Sequence, residues 1–180
     1  MGVVALISAA VVALGLGLFT SLGTSTTSGP PHVGGMAPAF SLSGLNLSGR
    51  VGTPESGGGD GKPMVVLFMG DWCTICHSEI PPLAAKIKEL QARHSSLGHL
   101  AVIGVDSEDT LSDALSLIKS SGVTFPVGDD GTAHVMNGLY GFEGDPYAVF
   151  IEGSGRIMTI HPGLLSPALF VALERRLLAT

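Results

Sequence analysis

The sequence predicts an α/β domain with a central mixed β-sheet covered by helices on both faces, preceded by an N-terminal transmembrane helix. Short strand-like apolar runs alternate with helical patterns along the second half of the chain, the order of a βαβ architecture. A hairpin around residue 155 makes part of the sheet antiparallel. The third observation is an uncharged apolar opening. With 45% apolar residues, 180 residues can bury a core beside one membrane segment. A net charge of −6 gives no reason to expect a nucleic-acid partner.

Gly2 to Phe19 holds no charge and no polar residue except Ser8. Its length is at the threshold for spanning a bilayer. Residues 1–23 read as an uncleaved signal anchor, since the apolar run is long for a signal peptide. Ser21-Leu22-Gly23 would nevertheless offer small residues to a peptidase. No Lys or Arg precedes the run and Arg50 is the first after it, so orientation is weakly specified. Either way the remainder is exported: anchored at the extracytoplasmic face of the cell membrane, or secreted or periplasmic if cleaved. Residues 24–35, built from Ser, Thr, Gly and Pro with few others, read as a flexible linker. Residues 36–180 form the domain.

Met36 to Arg50 alternates apolar and polar residues around Gly44, the pattern of a small hairpin. The glycine-rich stretch from Val51 to Lys62 reads as a mobile loop. Met64 to Met69 has the length and content of a buried strand. Ile80, Leu83, Ala84, Ile87 and Leu90 then recur at helical spacing, with Pro81-Pro82 expected to kink or divide the helix. His99 to Asp106 is a second buried strand. Asp109-Thr110 caps a helix whose apolar face is expected at Leu111, Leu115 and Ile118, ended by Gly122. Phe125 to Val127 is extended, Asp129-Asp130-Gly131 a turn, and Thr132 to Tyr140 a short helix. Tyr147–Ile151 and Arg156–Ile160 form the hairpin, and Ser166-Pro167 starts the last helix, which runs to about Leu178.

The chemistry sits where the first buried strand meets its helix, at Trp72-Cys73-Thr74-Ile75-Cys76-His77. On a helix, residues three apart share a face, so the two sulfurs can meet in a disulfide. Cys73 falls at the helix N-terminus, where free N–H groups and the dipole favour a thiolate. A nucleophilic sulfur with a partner beside it reads as a thiol–disulfide redox centre. Two cysteines, placed together, fit such a pair better than a disulfide scaffold. A purely structural disulfide here would close very little chain. A zinc half-site finds no further cysteine, and His77, His94, His99, His134 and His161 lack metal-ligand spacing. Cys-x-x-Cys-His is also the attachment pattern of a c-type haem, with His77 as proximal ligand and Met136 or Met158 as distal one. The buried strand running straight into the cysteines speaks against it.

Met36-x-Pro38-x-Phe40, Phe68-x-Gly-x-Trp-Cys-x-x-Cys-x-x-Glu79-x-Pro81, Phe125-Pro126, Tyr140-Gly141, Asp145-Pro146 and Gly155-Arg156 with Gly163 form a set. In this order they resemble the thioredoxin fold, and more narrowly the membrane-anchored thiol–disulfide oxidoreductases of the TlpA/ResA-like (redoxin) branch. The resemblance implies Cys73 as the attacking thiol and Cys76 as the resolving one. It implies a cis-proline at Pro146 that exposes the backbone of Asp145 to an extended substrate, a sheltering Trp72, and Glu79 beside the pair. It implies no cofactor beyond the redox-active disulfide. Its partners would be disulfides of exported proteins, a membrane electron donor, and the membrane itself through the anchor. Cytochrome c maturation is the context most often associated with it. Thr74-Ile75 departs from the family in lacking both the proline and the acidic residue often found between such cysteines. Asp145 would raise the pKa of Cys73 and a protonated His77 would lower it, so the expected role is that of a reductant. The rivals are a thiol peroxidase-type redoxin, which normally backs its cysteine with Thr and Arg, and a small exported c-type cytochrome.

Overall fold

The computed structural model describes residues 29–54, 61–93 and 100–180; the expected anchor, residues 1–23, lies outside them. Among the described residues no helix is long and apolar enough to cross a membrane. The elements in order are β1 (Phe40–Gly44), β2 (Arg50–Thr53), β3 (Met64–Met69), α1 (Thr74–Arg93), β4 (Ala101–Ser107), α2 (Leu111–Ser120) and β5 (Val127–Asp130). A π-helical turn (His134–Leu139), β6 (Tyr147–Ile151), β7 (Ile157–Pro162) and α3 (Pro167–Leu177) complete them.

One seven-stranded mixed sheet runs β2-β1-β5-β4-β3-β6-β7. β3, β4 and β5 are parallel, and the flanking strands antiparallel. β3 is buried along its whole length because both of its faces are covered. Val65, Leu67 and Met69 point into one core with Cys76, Ile80, Leu117 and Phe170. Met64, Val66 and Phe68 point into the other, with Val135, Met136 and Tyr140.

Helix cover is uneven. From β3 to β4 and from β4 to β5 the chain steps the same way across the sheet, so both right-handed crossovers fall on one face. α1, α2 and α3 therefore share that face, while the opposite one carries the six-residue π-helical turn and the chain around Phe142.

Several local expectations are corrected. α1 is not divided at Pro81 and Pro82 but runs through them as one helix. The carbonyls that lose their partners belong to His77 and Ser78, which are exposed, so water can serve them. α2 is capped by Thr110, whose Oγ1 accepts the Asp113 N–H at 3.3 Å. It buries Ala114, Leu117 and Ile118, leaving Leu111 and Leu115 exposed. Val51 to Thr53 is a strand paired with β1 rather than part of a loop, and residues 55–60 of the expected loop lie outside the described residues. Asp129 and Asp130 end strand β5, and the turn lies one residue later. The end of the expected linker is pinned to the sheet: Gly34 donates to the Ile157 carbonyl and Ile157 to that of Gly35, both at 2.8 Å.

Candidate active site

β3 ends at Met69, and the next four residues, Gly70 to Cys73, turn the chain into α1. The Cys73 N–H donates to the Gly70 carbonyl at 3.1 Å. Cys76 N–H donates to the Cys73 carbonyl at 3.0 Å and lies 3.1 Å from Cys73 Sγ, the helix-end amide that favours a thiolate there. Cys73 and Cys76 are joined by a disulfide, with Cα atoms 5.2 Å apart. Both are buried, Cys73 keeping 4% of its surface and Cys76 none. Met136, a candidate haem ligand by sequence, lies in the core on the other face of the sheet.

The turn is held from β4. The Trp72 indole N–H donates to the Ser107 carbonyl at 2.8 Å, and the Asp71 N–H to Asp109 Oδ2 at 2.5 Å. Gly70 is required for this: a Cβ there would stand 2.5 Å from Trp72 Nε1 and 2.9 Å from the Ser107 carbonyl. His77 Nε2 lies 2.7 Å from the Asp71 carbonyl and 3.6 Å from its carboxylate, on the exposed side of α1.

The Asp145–Pro146 bond is cis. Phe68 pairs with Tyr147, so Pro146 stands at the same end of the sheet as Gly70. The Pro146 carbonyl accepts the Gly163 N–H at 2.9 Å, bringing Leu164 alongside. Trp72, Ile75 and Leu164 leave about half of their surfaces exposed around this end, an apolar rim to a nearly closed disulfide.

Glu79 turns inward, on the same side of α1 as Cys76, and is buried. Burial raises its pKa, against the Leu165 amide and His161, which lower it. Its Oε2 has no hydrogen-bond partner among the described residues. Asp145 is half-buried and both of its carboxyl oxygens lack a partner there. Burial, then Asp109, Glu108 and Asp130, push its pKa up to about 7.

Sequence reasoning missed Asp106 and Asp109 as site residues. Asp106, at the end of β4, keeps only 2% of its surface, and its Oδ2 has no partner within hydrogen-bonding geometry. Burial, then the neighbouring carboxyls of Asp109, Asp145 and Asp129, push it up to about 9. The signal was present as acids closing three adjacent parallel strands: Asp71 beyond β3, Asp106 on β4, and Asp129 and Asp130 on β5. Among the described residues no group of three or more His, Cys, Asp or Glu is arranged to hold a metal ion.

The fold and the bonded pair at its strand–helix junction define a thiol–disulfide oxidoreductase of the thioredoxin superfamily. The AhpC/TSA family pattern matches residues 33–163, and the chain belongs to that family. It is 27% identical over 136 residues to the thiol-disulfide oxidoreductase ResA of Oceanobacillus iheyensis, covering 75% of this chain and 67% of that one. It is 26% identical over 98 residues to ResA of Bacillus anthracis, spanning about half of each chain (54% and 53%). A Chlorobium tepidum structure assigned as thiol:disulfide interchange protein DsbE superposes with TM-score 0.66 at 26% identity, over 83% of this chain and 97% of that one. A Bacteroides thetaiotaomicron structure assigned as a protein disulfide isomerase gives TM-score 0.69 at 25% identity, over 83% and 92%.

Proposed function

We propose that this chain is an extracytoplasmic reductant of protein disulfides, tethered by residues 1–23. The observation that carries the proposal is the Cys73–Cys76 disulfide at the start of α1, framed by Trp72, Ile75 and Pro146. In the reduced protein the Cys73 thiolate attacks one sulfur of a substrate disulfide. A mixed disulfide forms and the other substrate sulfur leaves as a thiolate. Cys76, losing its proton, then attacks Cys73 Sγ, releasing the second substrate thiolate and closing the disulfide. Two electrons and two protons restore the dithiol, the electrons coming from a membrane donor. The exposed backbone of Asp145 pairs with the extended substrate chain. Exported proteins awaiting haem attachment in cytochrome c maturation are the substrate context.

Cys76→Ser should therefore accumulate a mixed disulfide with a model disulfide protein, and Cys73→Ser should form none. Equal labelling of both variants would remove the assigned roles. The reductant direction falls if the midpoint potential of the pair is as high as about −120 mV.

The AhpC/TSA match favours one second reading, a thiol peroxidase in which Cys73 reduces a peroxide. Against it, Arg50 lies on β2, Arg156 just before β7, and Arg175 and Arg176 in the last turn of α3, none beside Cys73. Peroxide consumption matching the rate of disulfide reduction would reverse the preference.

A further inference from the structure

The Cys73 turn is clamped by a loop that also carries negative charge. Ser107 ends β4 and Glu108 and Asp109 follow it, with Glu108 at φ 61°, in the left-handed region that costs an L residue energy. That backbone turn presents two acceptors to consecutive residues before the nucleophile: Asp109 Oδ2 to the Asp71 N–H and the Ser107 carbonyl to the Trp72 indole. Beside Asp109 lies the carboxyl of Asp106, almost wholly buried, with an Oδ2 that has no hydrogen-bond partner among the described residues. Asp109, one of the carboxyls that crowd Asp106, is the one that accepts an amide of the Cys73 turn.

We propose that Asp109 is a positioning residue for Cys73: it holds the Asp71–Cys73 turn by its hydrogen bond and, backed by the buried carboxyl of Asp106, sets a negative charge beside the nucleophile's turn. This rests on the thiol–disulfide reading of the pair and adds residues to it. The groups facing the pair of carboxyls are acidic from every side. They are Glu108 on its own loop, Asp129 on β5, Asp145 before β6, and Asp71 at the entry to α1. Two imidazoles stand at this end: His77, engaged with Asp71 on the exposed side of the helix, and His161, which lies 3.0 Å from the Leu164 carbonyl and acts on Glu79. The described Lys and Arg residues near the helices lie farther along them, at Lys86, Lys88, Lys119, Arg175 and Arg176. A fixed negative charge disfavours the Cys73 thiolate, so it makes the reduced pair less stable and the couple more reducing.

The test separates the hydrogen bond from the charge. Asp109→Asn keeps an oxygen for the Asp71 N–H and removes the charge; Asp109→Ala removes both. The rate of Cys73 alkylation in the reduced protein is followed against pH, and the midpoint potential is measured for each. Asn should shift the thiol titration down by about one pH unit, giving roughly tenfold more thiolate below it, and make the couple less reducing. Ala should give the same shift but reduce a model disulfide protein more slowly than Asn, because the turn is no longer held. An Asn variant with the parent's titration and potential overturns the charge; an Ala variant as fast as Asn overturns the clamp. If neither variant folds, the parent's own alkylation profile decides. Carboxyls titrating beside the thiol give two inflections, and a single inflection overturns the proposal. A parent pair that does not reduce disulfides at all defeats the functional reading instead, since the thiol titration is read without a substrate.

Discussion

Asp106 and Asp130 close neighbouring strands on opposite faces of the same sheet, and each keeps 2% of its surface. Asp130 accepts N–H groups from Val135 and Met136 at 2.9–3.1 Å and stands 3.5 Å from the Ser107 hydroxyl. It fixes the start of the π-helical turn, beneath which Phe68 meets Tyr140 and Phe142 edge-on at 5.0 and 5.2 Å. Asp106 has no such amides and is crowded by other carboxylates. A buried acid whose lone pairs are filled by backbone holds structure in place. One surrounded by its own kind keeps a proton and stores a response to pH. The first builds the scaffold face; the second sits on the face that carries the cysteines.

The largest expected effect sharpens this contrast through pH. Asp106 is raised to about 9 and Asp145 to about 7, against an ordinary value of 3.8. The folded chain thus holds protons that the unfolded chain releases. The stability they represent is complete below about pH 4 and is lost as pH rises through 7 for Asp145 and 9 for Asp106. Each extra proton held costs about 1.4 kcal/mol per pH unit, so Asp106 alone accounts for roughly 4 kcal/mol between about pH 5 and pH 8. Urea unfolding across that range should show stability falling with pH. Asp106→Asn, which needs no proton, should flatten the slope by about one proton's worth. An Asn variant as steep as the parent would break the comparison on this face.

On the scaffold face the corresponding change is Asp130→Ala. Two amides then lose their acceptor in a buried site, at about 1–3 kcal/mol each, for a total of about 3 kcal/mol in a urea titration at fixed pH. Asp130→Asn should recover part of it, having one carbonyl oxygen left to accept. If Ala costs less than about 1 kcal/mol, water replaces the carboxylate and the turn does not depend on it.

Much of this was legible in the chain, for reasons that differ from element to element. β3 and β6 have the predicted bounds because uninterrupted apolar runs of five or six residues, closed by Gly or Pro, leave little else to be. Ser166 and Pro167 cap and start α3 as expected, since capping is local chemistry. The cysteine pair was readable from spacing alone. β5 was not, because Val127-Gly-Asp-Asp130 looks like a turn until β4 and β1 pair with its two edges. The buried side of α2 was misplaced because Leu111 and Leu115 are apolar without facing the sheet. The acid cluster was overlooked because its members join only in the folded sheet. Asp71, Asp106, Asp109, Asp129 and Asp145 are scattered along the chain, and only parallel register gathers strand ends into one place.

The smallest expected effect asks whether the two faces are independent. Ser107 touches both: its carbonyl accepts the Trp72 indole, and its hydroxyl lies beside Asp130. Trp72→Phe keeps an apolar cover over the turn and removes one hydrogen bond at a half-exposed site, a loss of about 1 kcal/mol. Gly70→Ala crowds the same spot, with the new Cβ 2.5 Å from the indole nitrogen and 2.9 Å from the Ser107 carbonyl. The two changes made separately and together form a cycle. If the indole is what demands glycine, Gly70→Ala costs clearly less in the Trp72→Phe background than in the parent. If it costs the same in both backgrounds, the Ser107 carbonyl is the obstacle. The end of β4 then has to move to admit the methyl group, taking the hydroxyl beside Asp130 with it, so the cysteine face and the scaffold face yield together.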